Sequence, residues 1–340
     1  MKKNKTIVIA EIGINHNGKL SNAYKLIKAA KKADADYVKF QTFFPDEMVT
    51  SNAKKAPYQR LKIEKNQFQK NLLNKYVFDL NDYKKIIKFC KKKKIKFLTT
   101  VFDLKSFDLL FSFKLDYYKI PSGDIDNVPL LEKIAKKNNN VLLSTGMSNL
   151  DDIKFSLSIL KKNGQNLKKV TILHCNTAYP TPINDVNLNS ILYLKKKFKQ
   201  SIGLSDHSES IIVPAMAVSL GAVLIEKHLT LDKKMIGPDH KASLNPNEFD
   251  LMVKNIRVAE MALGKYDKAP TKSEIVNKKF ARKSIVAKTN IKKNEILSEK
   301  NITTKRPGTG VPAKNWENFL GKKIKKNIIK DKFIFSRDVR

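Results

Sequence analysis

The chain has 340 residues, with 67 lysines and arginines against 32 acidic residues and a formal net charge of +35. That length exceeds one average domain and suits a barrel of roughly 250 residues followed by a small module. The charge alone would fit a nucleic-acid or membrane surface, but lysines are scattered along nearly every helical stretch and only six arginines occur (Arg60, Arg257, Arg282, Arg306, Arg337 and Arg340). Base and phosphate readout favours arginine forks, so a solvated basic surface that attracts an anionic substrate is the better reading.

In chain order, eight short apolar, β-branched runs each end in a polar residue able to do chemistry. They are TIVIAE ending at Glu11, DYVKFQ at Lys39 and Gln41, KFLTT at Thr100, DYYKIPS at Lys119 and Ser122, VLLST at Ser144, VTILHCNT at His174 and Asn176, SIGLSDH at Asp206 and His207, and AVLIEKH at Glu226 and His228. All but one is followed by a segment of helix length. Continuous Val/Ile/Leu runs are the mark of buried parallel strands, and eight of them alternating with helices predict a (β/α)8 TIM barrel of the α/β class. The carboxyl ends of barrel strands converge on one face, so the polar residues gather there.

Between the runs, Leu20 to Ala33, Leu80 to Lys94, Leu150 to Lys162 and Leu188 to Phe198 carry apolar residues at helical spacing with lysines opposite. Pro214 marks the start of another helix. The last barrel helix is announced by Asn245 as N-cap, Pro246 at the first helical position, Glu248 closing a capping box and Gly264 at the far end. Thr42 to Asp79 has no clean period and reads as a long excursion over the barrel mouth, where long loops are usually functional. The predicted domains are a catalytic barrel over 1–265, a polar linker over 266–280 and a compact module over 281–340. In the module, short strand-like pieces (Ser284 to Ala287, Glu295 to Leu297, Phe333 to Phe335) alternate with turns, and Arg306 to Gly310 forms a tight loop. About sixty residues are marginal alone, so the module is expected to pack on the barrel or on a partner subunit.

Cys90 and Cys175 make no disulfide framework, which predicts a reducing, cytoplasmic setting. The basic start MKKNK is followed by four apolar residues before Glu11, too few for a signal-peptide core, and no run approaches membrane-spanning length.

All five histidines (His16, His174, His207, His228 and His240) fall at strand ends or in the loops after them. A single histidine there is usually a structural hydrogen-bonder. His207 and His228, however, close adjacent strands with Asp206, Glu226 and Asp239 around them, and two such imidazoles can point at one divalent ion. Manganese, iron, cobalt and zinc all suit such a site. Lys39 and Lys119 sit inside apolar strands, where an unpaired charge is costly. Each needs an anion, either a carboxylate such as Glu11 or Asp124 or a bound phosphate or carboxylate. Lys119 could also serve as the Schiff-base lysine of an aldolase. Ser122, Ser144 and Ser205, with Gly123, Gly146 and Gly203 near them, favour a phosphorylated ligand, because glycine lets backbone amides approach phosphate closely. No Walker A or GxGxxG sequence is present.

EIGINHNG (Glu11 to Gly18), VKFQTF (Val38 to Phe43), YKIPSGD (Tyr118 to Asp124), LLSTGM (Leu142 to Met147), HCNTAYPTP (His174 to Pro182), GLSDHS (Gly203 to Ser208), IEKHLT (Ile225 to Thr230) and GPDHKAS (Gly237 to Ser243) together resemble the sialic acid synthase family. The tail, from ARKSIVA (Ala281 to Ala287) through TTKRPGTG (Thr303 to Gly310), resembles the antifreeze-like SAF domain that follows the barrel in these enzymes. The resemblance implies N-acetylneuraminate synthase activity: condensation of phosphoenolpyruvate with N-acetylmannosamine to a nine-carbon α-keto acid, with phosphate leaving by C–O cleavage. N,N′-diacetyllegionaminate synthase, using 2,4-diacetamido-2,4,6-trideoxymannose, is the alternative, with pseudaminate synthase behind both.

Position by position, the resemblance places a divalent ion on His207 and His228, with manganese expected and magnesium or cobalt as alternatives. It places phosphoenolpyruvate among Lys39, Thr100, Lys119, Ser122, Ser144, Asn176 and Ser205, and the sugar near Glu11, Gln41, Tyr179 and Asp239. Glu11 and Asp239 would move protons. Arg306 would reach the acetamido group of a sugar bound by the partner subunit, implying a domain-swapped homodimer. Ala178 and Thr309 depart from the acidic residue and the asparagine common at these positions, and KKAPYQ (Lys54 to Gln59) is shared by synthases of both leading products.

Overall fold

The structure, a computed structural model, describes residues 5–55 and 68–340; most of the KKAPYQ motif, and Arg60, lie outside the described residues. The chain divides into two compact units, Met1–Gly264 and Lys265–Arg340. The first is a closed barrel of eight parallel strands in sequential order. They are β1 (Ile7–Gly13), β2 (Tyr37–Thr42), β3 (Lys96–Val101), β4 (Tyr117–Ile120), β5 (Asn140–Ser144), β6 (Val170–Cys175), β7 (Ser201–Asp206) and β8 (Leu224–His228). Closure leaves no strand edge unpaired, and β1 pairs with β8 through Ile7 to Leu224 and Glu11 to His228.

Alternation along each strand decides what faces the barrel axis. Outward residues such as Val8, Ala10, Val38, Phe40, Leu143 and Ile172 are fully buried against the surrounding helices. Inward, Ile9, Tyr37, Leu98, Leu142, Leu173 and Leu224 form a separate apolar plug. Gly203 makes room for it: a Cβ there would lie 2.7 Å from both Leu173 Cδ2 and the Leu224 carbonyl oxygen. Two residues further along the same strands the inward positions become Glu11, Lys39, Thr100, Lys119, Ser144, Cys175, Ser205 and Glu226. The plug is therefore a hydrophobic floor beneath a polar layer, and it closes the barrel from below.

The helices follow the amphipathic pattern. Leu20–Lys32 buries Ala23, Leu26, Ile27 and Ala30, and Leu80–Lys93 buries Tyr83, Ile86 and Cys90. Asn149 with Asp152 caps Leu150–Lys162, and Asn245 with Glu248 caps Pro246–Ala262 behind Pro246. Val213–Ser219 begins beside Pro214. The excursion after β2 contains the short helices Pro45–Met48 and Gln69–Leu73, and Leu72, Leu73 and Tyr76 pack with Ile14 and Phe43 over the mouth. Among the described residues no helix is long and apolar enough to cross a membrane.

The second unit has its own core, built from residues such as Ile285, Ile302, Phe319, Ile324 and Ile334. Its strands β9 (Ser284–Ala287) and β10 (Ile302–Lys305) pair antiparallel. Two expectations are corrected here. The linker contains the helix Lys272–Ala281, started by a Thr271–Glu274 capping box; it buries no residue, and its three large apolar side chains, Ile275, Val276 and Phe280, are exposed. Glu295 to Leu297 and Phe333 to Phe335 contribute isolated bridges, Ile296 to Lys323 and Val286 to Phe333, in place of strands.

Candidate active site

The polar layer opens into a cavity of about 420 Å³ at the carboxyl ends of the strands. Its base is a cluster of two ammonium and two carboxylate groups. Lys39 Nζ lies 2.8 Å from Glu11 Oε2 and 3.7 Å from Glu226 Oε1, and Lys119 Nζ lies 3.0 Å from the same Glu226 oxygen. Lys39 also donates to Thr100 Oγ1 at 2.8 Å, and Ser205 Oγ donates to Glu226 at 3.0 Å. The two carboxylates are pushed apart electrostatically. Burial opposes ionisation of Glu226, but the two ammonium groups outweigh it and hold its pKa down at about 2. Burial wins at Glu11, assisted by the Glu226 charge and resisted by Lys39, and raises it to about 7. Carboxylates separated in this way can take different proton roles near neutral pH.

Above that layer, β7 and β8 deliver His207 and His228 with ring centroids 5.4 Å apart. His207 Nδ1 donates to the Asn176 carbonyl at 2.5 Å, which fixes its tautomer and leaves Nε2 facing the Tyr179 hydroxyl at 3.2 Å. His228 is held well below the ordinary imidazole range, first by burial and then by the His207 charge, and its Nδ1 is buried without a hydrogen-bond partner. A neutral imidazole with an unused nitrogen beside a second, carbonyl-oriented one is a donor set that fits a divalent ion. Among the described residues no group of three His, Cys, Asp or Glu side chains is arranged around one point. An ion on the two imidazoles would take its remaining oxygens from water or substrate. Asp239 completes this side, with burial raising its carboxyl to about 6.

Of the residues singled out in the sequence, Glu11, Lys39, Gln41, Thr100, Lys119, Ser122, Ser144, Tyr179, Ser205, His207, His228 and Asp239 all line this one cavity. Asn176 does not. It follows the inward Cys175, its amide oxygen accepts from Ala178 N and its amide nitrogen donates to the Asp185 carbonyl, so its contribution is the backbone oxygen that orients His207. Asp206 also faces away, paired with Lys227 at 2.6 Å. Asp124 binds Asn127, and the partner of Lys119 is Glu226. His16, His174 and His240 are structural: they bond to Gly18 N, the Val186 carbonyl and Thr230 Oγ1. Arg306 belongs to the second unit, where its Nε donates to the Ala281 carbonyl.

Sequence reasoning set Glu226 beside the histidine pair but missed its pairing with the lysines, and it missed Cys175 in the cavity altogether. Both follow from the pleat, since Glu226 stands two residues before His228 and Cys175 two after Leu173. The apolar lining by Ile14, Phe43, Met48, Leu73 and Phe102 had no chemical signature to betray it.

A parallel barrel whose cavity gathers paired imidazoles above a cluster of lysines and carboxylates has the make-up of an enzyme active site. Residues 26–268 match the model of the NeuB family and residues 282–340 that of the SAF domain. The chain belongs to the NeuB family, the sialic, legionaminic and pseudaminic acid synthases, and is an enzyme. It is 49% identical over 330 residues to the N,N'-diacetyllegionaminic acid synthase of Campylobacter jejuni, covering 97% of this chain and 99% of that protein. It is 37% identical to a pseudaminic acid synthase of the same species over 95% of this chain and 94% of that one. The crystal structure of N-acetylneuraminic acid synthetase from Leptospira borgpetersenii, in complex with citrate, superimposes with a TM-score of 0.71 at 33% identity, covering 81% of this chain and 90% of that one.

Proposed function

We propose that this enzyme condenses phosphoenolpyruvate with an N-acetylated mannosamine-type sugar, releasing phosphate and a nine-carbon α-keto acid. The observation that carries the reading is the pair of inward ammonium groups, Lys39 and Lys119, on the floor of a cavity rimmed by serine hydroxyls. The 49% identity to the Campylobacter enzyme favours 2,4-diacetamido-2,4,6-trideoxymannose as the acceptor over N-acetylmannosamine.

In this reading Lys39 and Lys119 turn from their carboxylates to the phosphate and carboxylate of phosphoenolpyruvate, and Thr100, Ser122, Ser144 and Ser205 supply neutral donors. The Ser144 hydroxyl, buried without a partner, is ready for that role. C3 of phosphoenolpyruvate attacks the aldehyde carbon of the open-chain sugar, water adds at C2, and the C2–O bond breaks as phosphate leaves. A divalent ion on His207 and His228, manganese in this proposal, would polarise the aldehyde as a Lewis acid. Glu11, with a pKa near neutrality beside Lys39, takes the proton of the attacking water, and Asp239 supplies one to the new hydroxyl. Once turned to the bound substrate, the ammonium groups stabilise the departing phosphate with no further movement during the chemical step.

The test is phosphate release measured with each sugar, with manganese and with chelator. Release is expected only when sugar and divalent ion are both present, and more efficiently with the diacetamido sugar. Release without a sugar, or indifferent to chelator, would contradict the proposal.

A further inference from the structure

The cavity has three sectors of different chemistry. Histidines and Asp239 stand over β7 and β8, and hydroxyls and glycine backbone stand over β4 and β5. Over β1 to β3, above the floor, the wall is mainly apolar, with Gln41 and Gln69 as its polar members. Ile14, Phe43 and Leu73 are buried, Met48 and Phe102 are half-buried, and all five line the cavity. The Phe43 and Phe102 rings meet edge to face at 6.2 Å. The wall is anchored to the barrel: Phe102 N donates to the Thr42 carbonyl, and Asp103 accepts from Phe44 N at 2.9 Å while capping the turn through Ser106.

We propose that this wall is the subsite for the far end of the acceptor sugar, and that it selects a terminal methyl over a terminal hydroxymethyl. The inference rests on the condensation proposed above and adds the residues that set its specificity. The sugar's aldehyde end belongs at the histidines, and phosphoenolpyruvate occupies the lysine and serine floor. The sector left for the acceptor's last carbons is the one lined by Phe43, Met48 and Phe102. A hydroxyl pressed on the Phe43, Met48 and Phe102 side chains loses its water and gains no partner from them, whereas a methyl loses nothing and gains contact. Apolar pockets discriminate by modest factors at such a position, about 10- to 100-fold.

The experiment compares kcat/KM for N-acetylmannosamine and 6-deoxy-N-acetylmannosamine, which differ in one oxygen. Wild type is expected to prefer the 6-deoxy sugar by about 10- to 100-fold. Phe102→Gln and, separately, Met48→Gln should bring the ratio close to one, and Phe102→Leu should retain the preference because it keeps the surface apolar. Equal kcat/KM for the two sugars in wild type, or an unchanged ratio in both Gln variants, would overturn the wall's role while leaving the condensation standing. Absence of phosphate release with either of these sugars and with the diacetamido sugar would instead bring down the reaction, and this inference with it.

Discussion

Two buried ion-pair clusters meet on opposite faces of β8, and they differ in whether a ligand can reach them. Inside the barrel, Glu226 on β8 joins Lys119 and Lys39, and all three line the cavity. Behind the wall, the next residue, Lys227, is sealed: it pairs with Asp206 at 2.6 Å and donates to the Ser208 carbonyl at 2.5 Å. The Asp206 carboxylate in turn accepts from Ser208 N at 2.9 Å. Adjacent residues thus place similar chemistry in opposite roles, because a strand alternates its faces. The inner cluster opens to the cavity and, under the function proposed above, is an anion site whose carboxylates hold the lysines until substrate arrives. The outer one is a clamp that joins β7 to β8 just below His207 and His228.

The largest effect that would break this comparison is on stability. Lys227→Met leaves the Asp206 carboxylate buried and unpaired, and should lower the unfolding free energy by about 3–5 kcal/mol in a denaturant titration. Adding Asp206→Leu should recover most of that loss, since an apolar pair of similar size avoids the desolvation penalty. A cost below about 1 kcal/mol for the single variant would mean that the clamp is not sealed.

A smaller effect sharpens the comparison through pH. Glu11 is neutral below about 7, which leaves the inner cluster with one net positive charge, and ionised above it, which leaves none. Sulfate, whose own charge is constant across this range, should bind more tightly as pH falls from 8 to 6, by about tenfold for each unit that binding shifts Glu11. Glu11→Gln should bind at the low-pH level throughout. A flat profile in wild type, measured by calorimetry, would show that Glu11 does not gate the anion site.

Much of this was legible in the sequence, because β-branched runs, capping boxes and polar strand ends are local signals. Asn245, Pro246 and Glu248 mark the last barrel helix by chemistry that acts within four residues. The paired histidines were legible because consecutive strands of a barrel are neighbours. Partnerships across the barrel were not: Lys119 and Glu226 are 107 residues apart, and Asp124 was the nearer carboxylate in sequence. The facing of Asn176 and Asp206 was readable in principle from the alternation of each strand, since both follow inward residues. The helix Lys272–Ala281 was hidden because it is short and mostly polar, with only Ile275, Val276 and Phe280 as large apolar residues, all of them exposed.

The central claim is that Lys119 holds the phosphorylated substrate and Lys227 does not. Calorimetric titration of phosphoenolpyruvate into wild type, Lys119→Met and the Asp206→Leu/Lys227→Met double variant tests it directly. Loss of a buried charge contact at the ligand should weaken binding by about 100-fold in Lys119→Met, with the double variant within about threefold of wild type. Equal affinity in wild type and Lys119→Met would contradict the assignment of the inner cluster as the substrate's anion site.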